Sequence, residues 1–189
     1  MEEVRTEDIL IRDVETKNIM TKSNLPVGGY SVNRYVGCTH ACTYCYASFM
    51  KRFTGHTEEW GTFLDIKHWP EIKHPEKYAG QRVVIGSVTD GYNPQEKEFG
   101  NTRKLLEQLR GSGADILICT KSDLVVSDID LLKELGQVTV SWSSTMLDEQ
   151  FKDEMDVADS IERWLSALQQ IYDAGSRSER LVSLGLPGV

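Results

Sequence analysis

The sequence predicts an α/β protein, built from repeated βα units around a mostly parallel sheet. Two observations carry that reading. Short apolar runs alternate with longer stretches of helical period, and each apolar run ends in a loop rich in residues that can do chemistry, as expected where strand ends gather a working site. With 189 residues, 40% of them hydrophobic and 26% charged, the chain is long enough to bury the core of one globular domain.

Strands are expected at Tyr30 to Val36, Arg82 to Ser87, Asp115 to Thr120 and Gln137 to Trp142, with a weaker signal at Arg180 to Leu184. Helical period marks Thr43 to Phe53, Phe99 to Arg110, Asp128 to Leu135 and Ser160 to Ala174, the last stopped by Gly175. Residues 1–30 are mixed polar, close on the turn-rich PVGGY and read as an N-terminal extension; residues 31–189 form the core domain. The loops that follow the first four strands contain CTHACTYC, VTDGYNP, TKSD and SWSST. Between the first two strands, KRFTGHTEEWGTFLDIKHWPEIKHP is long for a βα connection and reads as a lid or binding surface. His56, His68 and His74 within it lack metal-pair spacing and read as surface or packing residues, and Trp60 and Trp69 read as the lining of a substrate or partner surface or, more simply, as core.

A formal charge of -8 argues against nucleic acid and anionic membrane as partners. No apolar run approaches the roughly 20 residues that cross a bilayer, and the acidic start MEEVRTED is unlike a secretion signal, so a cytoplasmic location is expected. In that reducing compartment, three of four cysteines packed into CTHACTYC read as a metal or cluster site and not as a disulfide framework.

Cys38, Cys42 and Cys45 are separated by three and two residues. A four-iron–four-sulfur cluster that only carries electrons is normally tied by four thiolates; three leave one iron open, and an open metal position is where a small molecule binds and reacts. Gly37 and Ala41 keep the loop free of bulk. Tyr44 is placed to lie against a planar ring such as adenine. The rival is structural zinc with His40 as fourth ligand, but zinc sites of that kind use two separated ligand pairs and no second pair is present.

CTHACTYC fits the CxxxCxxC motif of the radical S-adenosylmethionine (SAM) superfamily, including the aromatic residue before the last cysteine. With NLPVGGYSVNRYVG before it, and VTDGYNPQEKEF, TKSD and SIERWL after it, the chain resembles the spore-photoproduct-lyase-like branch, most closely the group called radical SAM mobile pair protein B. The resemblance implies a partial (β/α)6 TIM-like barrel, here incomplete at the C terminus, since four βα units and the weak fifth strand fall short of six strands. It implies a 4Fe-4S cluster on the three cysteines, reductive cleavage of SAM to a 5′-deoxyadenosyl radical, an external one-electron donor of flavodoxin or ferredoxin type, and an adjacent partner protein.

The same resemblance makes Lys121 a contact for the SAM carboxylate and Ser143 one for its ribose, with Thr89 and Asp90 at the methionine amino end. Each has a plainer alternative: a solvated lysine past a strand end, a serine turn or cap, an aspartate that folds the DGYNP loop. Cys119 reads as a hydrogen-atom donor or, more simply, as a small buried hydrophobe. Arg34, Thr145 and Trp164 stand where the group usually shows proline, asparagine and arginine. Two alternatives to an enzyme stay open: a non-catalytic remnant that binds a cluster or a partner protein, and a zinc-binding module.

Overall fold

The computed structural model describes residues 3–6, 9–24, 29–144, 148–175 and 177–182. Its strands are β1 (Glu3–Thr6), β2 (Ile9–Glu15), β3 (Thr21–Lys22), β4 (Tyr30–Val32), β5 (Tyr35–Val36), β6 (Phe63–His68), β7 (Arg82–Ile85), β8 (Asp115–Thr120), β9 (Val138–Ser144) and β10 (Arg177–Val182). The α-helices are α1 (Glu96–Phe99), α2 (Asn101–Gln108), α3 (Ile129–Leu135), α4 (Glu149–Met155) and α5 (Ile161–Asp173).

Strands β4, β7, β8, β9 and β10 run parallel, neighbour to neighbour, with β3 antiparallel at the β4 edge. This is the sheet the apolar runs predict, and its fifth parallel strand, the weakest signal in the sequence, begins three residues earlier than expected. Alternation along each strand divides the side chains. Val83, Ile85, Ile116, Ile118, Val138 and Val140 pack with Leu105 and Leu106 of α2, Leu131 and Leu132 of α3, and Ala167 and Ile171 of α5 in one large core. In register on the opposite face are Ser31, Val84, Leu117, Cys119 and Ser141, a mixed lining of aliphatic side chains, serines and a cysteine.

A second sheet, in the order β1-β2-β6-β5, closes the other side of the partial barrel. It is made from segments read in the sequence as an extension and as a loop. β2 pairs parallel with β6, and β5 pairs antiparallel with it. In FLDIKH, Leu64 and Ile66 turn one way to join Ile11 and Tyr35 in a small core, while Asp65 and Lys67 turn the other way with Val14 and Val36. The strand period is present there, but its flanking His, Trp and Pro residues mask it.

The expected first strand, Tyr30 to Val36, is two strands in two sheets. At the bend, Asn33 Nδ2 donates to Ser87 Oγ (3.1 Å) and its Oδ1 accepts from Val88 N (3.0 Å), diverting the chain from one sheet to the other. Arg34 is wholly buried there and none of its guanidinium nitrogens has a hydrogen-bond partner. Its fork lies against Gly91, where any Cβ would collide with it.

The helix expected from Thr43 is a 3-10 helix over Tyr46–Phe53, because residues 43 and 44 are held in a turn by contacts described below. The helix expected from Phe99 is interrupted at Gly100, whose φ of 58° ends α1 and starts α2. α5 follows its prediction within a residue, with Ser160 Oγ capping Arg163 N at 3.3 Å. Trp164 stacks on Trp142, ring centroids 5.4 Å apart, in the large core. Thr145 lies outside the described residues. Of the histidines, His56 is buried and stacks on Phe63, His68 is half-buried and His74 is exposed. Trp69 is in the core; Trp60 is half-buried at a cavity wall.

Candidate functional site

The cysteine loop leaves β5 through Gly37, whose φ of 89° suits glycine and whose missing Cβ lets the chain pass the Phe63 carbonyl. Short backbone bonds then coil it: Ala41 N to Cys38 O (3.4 Å), Cys45 N to Cys42 O (3.1 Å) and Ser48 N to Cys45 O (3.2 Å). Ala41 takes a left-handed φ of 49°, uncommon for a residue with a side chain. Two other segments brace the loop. Thr39 N donates to Asn93 Oδ1 (3.1 Å) in the loop after β7, and Thr43 N to Met155 O (2.9 Å) and Val157 N to His40 O (3.2 Å) tie it to the end of α4.

The three cysteines line one cavity at the ends of β5, β7, β8 and β9. Thr89, Asp90, Lys121 and Ser143, four of the five residues suggested for SAM contact, line the same cavity, as does Cys119; the fifth, Tyr44, is not part of its lining. Strand alternation explains part of the gathering: Cys119 and Ser143 occupy the same face of the large sheet, Lys121 follows β8 directly, and Thr89 and Asp90 lie in the loop after β7.

Asp90 acts as the knot of the site. Its Oδ1 accepts from Tyr92 N (2.8 Å) and Thr120 Oγ1 (2.8 Å), its Oδ2 from Lys121 N (2.7 Å), and His40 Nε2 stands 3.2 Å from Oδ2 in an ion pair without hydrogen-bond alignment. Burial alone would raise its carboxyl pKa; the charge of His40 and the N–H donors outweigh that and hold it below the usual value. Thr89 is buried, its Oγ1 donating to Tyr35 O at 3.4 Å.

Lys121 Nζ donates to Ser143 O (2.6 Å), lies 3.9 Å from Asp156 Oδ2 and sits 5.2 Å from the centre of the Tyr44 ring. Tyr44 Oη donates to the same Asp156 oxygen at 2.8 Å. Asp156 therefore connects the aromatic residue of the cysteine loop to the lysine of the third βα loop. Nothing near Asp156 in the sequence signals that role, because the pairing partner is 112 residues away. His40, weighed in the sequence only as a zinc ligand, is turned towards Asp90; Asn33 and Asn93, which pin the surrounding loops, also carry no local motif.

Burial pushes the Cys38 thiol up to about 12, with the negative charge of Asp90 adding to it. Cys42 is likewise raised to about 12, chiefly by burial, against which the Lys121 ammonium acts. Such thiols keep their protons until a metal displaces them. Among the described residues no three Cys, His, Asp or Glu side chains converge on a single ion. A cubane needs no such convergence, since each thiolate takes its own iron, so three thiols around one cavity fit a cluster better than a mononuclear site.

The model of the Radical SAM superfamily matches residues 32–189. An uncharacterized protein of Methanocaldococcus jannaschii is 30% identical over 180 residues, which is 95% of this chain and 69% of that protein. One from Acidianus two-tailed virus is 37% identical over 135 residues, 65% of this chain and 44% of its own length. Among solved structures, spore photoproduct lyase complexed with dinucleoside spore photoproduct superposes with a TM-score of 0.69 at 14% identity. A mutant of the lyase with bound AdoMet and dinucleoside spore photoproduct gives 0.70 at 14% identity. In both cases the match covers 92% of this chain and 51% of the lyase chain, so the chain spans about half the length of that enzyme, and the likeness is one of fold.

Proposed function

Because the chain belongs to the radical SAM superfamily, whose cofactors are a 4Fe-4S cluster and SAM, we propose that Cys38, Cys42 and Cys45 hold the cluster and that the adjoining groups seat SAM for radical chemistry on a substrate still to be identified. When bound, the pair would supply a 5′-deoxyadenosyl radical after one-electron reduction. The observation that carries this reading is the single cavity shared by the three thiols, Thr89, Asp90, Lys121 and Ser143.

The protein's own groups have definable parts in it. Lys121 offers its ammonium to a carboxylate, and Asp156 and the Ser143 carbonyl hold it in place until then. Tyr44, fixed by Asp156, presents an aromatic face beside that lysine. To Ser143, near the end of β9, we assign a ribose hydroxyl and to Thr89 the methionine amino end, since both line the cysteine cavity. Asp90 is fully engaged, so we give it the role of positioning Lys121 and the cysteine loop through the bonds it accepts. We place the protein in the cytoplasm with an external donor of flavodoxin or ferredoxin type and, from its likeness to mobile pair protein B, beside a partner protein. Among the described residues no helix is long and apolar enough to cross a membrane.

One observation favours the second reading, a cluster-binding remnant without turnover: Lys121 already has a carboxylate and a carbonyl as partners. Anaerobic reconstitution, iron and sulfide assay, and a search for 5′-deoxyadenosine after addition of dithionite and SAM separate the two. Cluster with 5′-deoxyadenosine supports the enzyme; cluster without it supports the remnant; zinc without iron sinks both.

A further inference from the structure

A second cavity, of about 410 Å3, adjoins the cysteine cavity and shares Val88 and Thr89 with it as a common wall. Asn33 fixes that wall: its side chain accepts from Val88 N and Thr89 N at 3.0 and 3.4 Å. The far side is the polar face of the small sheet, where Asp65 and Lys67 of β6 stand beside Val14 and Val36. Met50 and Phe53 of the 3-10 helix and Trp60 complete an otherwise apolar enclosure.

The polar groups in this chamber are unequally satisfied. Its carboxylate, Asp65, is bound through Oδ1 to His56 Nε2 at 2.9 Å, and both side chains are buried. Its donors are not all used. The Lys67 ammonium, which carries three N–H groups, makes one bond, to Asn33 O at 2.9 Å, whereas Trp60 Nε1 is shut off from the cavity and Trp60 contributes to the wall only. Among the other charges around it, Arg12 on the same face of β2 approaches Glu58 at 4.0 Å, and the buried Arg34 adds positive potential with no bonded partner. Burial lowers the pKa of Lys67, Asp65 acts against that, and Arg34 lowers it further. Glu58 and Glu96 offset Arg12 and Arg34, but the unused Lys67 donors at a largely apolar wall call for an acceptor with an apolar body.

We propose that this chamber is the substrate site and takes a small molecule with an apolar body and an anionic head, a carboxylate or a phosphate monoester, the head being held by Lys67. That the ligand is a substrate rests on the radical reading above; that it binds here does not. The shared wall puts its body beside the cysteine cavity, where hydrogen abstraction would occur.

The test is calorimetric titration of the purified full chain, its metal content recorded and no SAM or reductant added, with hexanoate, hexyl phosphate, hexanol and hexylamine. At least one anion should bind about tenfold or more tightly than hexanol and hexylamine, as expected for a charge-assisted contact, and the better of the two identifies the head group. Lys67→Met should bring anion binding to the hexanol level and Lys67→Arg should retain most of it. If Lys67→Met does not fold by circular dichroism, Lys67→Gln, which keeps an N–H donor and loses the charge, takes its place and should lose the preference for the anion. Equal binding of hexanol and both anions, no binding of any probe, or an effect of Lys121→Met in place of Lys67→Met overturns the proposal. A chain without iron or 5′-deoxyadenosine that still binds the anion through Lys67 would refute the radical reading and leave this site standing.

Discussion

On the large sheet, the outward faces of β7, β8 and β9 press against α2, α3 and α5 in one continuous core; on the small sheet, among the described residues, only Ile11, Tyr35, Leu64 and Ile66 form a buried cluster. The small sheet compensates with polar ties, the His56–Asp65 pair and the Lys67–Asn33 bond among them, and it carries the wholly buried Arg34 at its seam with the large sheet. Apolar burial is worth about 25 cal/mol per Å2, whereas buried ion pairs add little net stability. The large sheet is therefore the source of stability, and the seam between the sheets is where the chain has accepted buried polar groups that a pure scaffold would avoid.

That contrast can be broken most forcefully in the large core. Trp164→Ala removes the ring stacked on Trp142 and should cost about 3–5 kcal/mol, read from the midpoint of a urea melt. A cost near zero would mean that α5 is not part of the cooperative unit. At the seam the sign should reverse. Arg34→Met removes a buried cation with no bonded partner and keeps an unbranched apolar stem, so stability should rise by about 1–3 kcal/mol. Destabilisation there would show that the guanidinium is in fact compensated.

The division also follows what the sequence makes legible. The large sheet is assembled from successive βα units, and its apolar runs stand out because local period and global placement agree. The small sheet joins residues 3–6, 9–15, 35–36 and 63–68, so the pairing of β2 and β5 with β6 is nonlocal, and the inward Asp65 and Lys67 give β6 the composition of a loop. At the site, the cysteine spacing is local and legible. The ties that organise it, Asp156 to Tyr44, Asn93 to Thr39 and Asn33 to the loop after β7, span 54 to 112 residues and leave no mark on any short window.

The smallest expected effect concerns Asp90. Its carboxyl is held below the usual value of 3.8, so the stability it contributes is present above that value and lost as the pH falls through its lower folded value. Asp90→Asn should be less stable than the wild type near pH 7, and the two stability curves should converge on acidification below about pH 4. Parallel curves would remove Asp90 from its place as the charged knot of the site.

The central claim is a cluster held by three thiolates when a fourth cysteine, Cys119, lines the same cavity. Iron and acid-labile sulfide per chain, measured after anaerobic reconstitution of the wild type, Cys42→Ala and Cys119→Ala, test it directly. The account predicts about four irons and four sulfides in the wild type and in Cys119→Ala, and loss of both in Cys42→Ala. Loss in Cys119→Ala as well would make the cluster a closed, four-thiolate carrier of electrons and contradict an open iron for SAM.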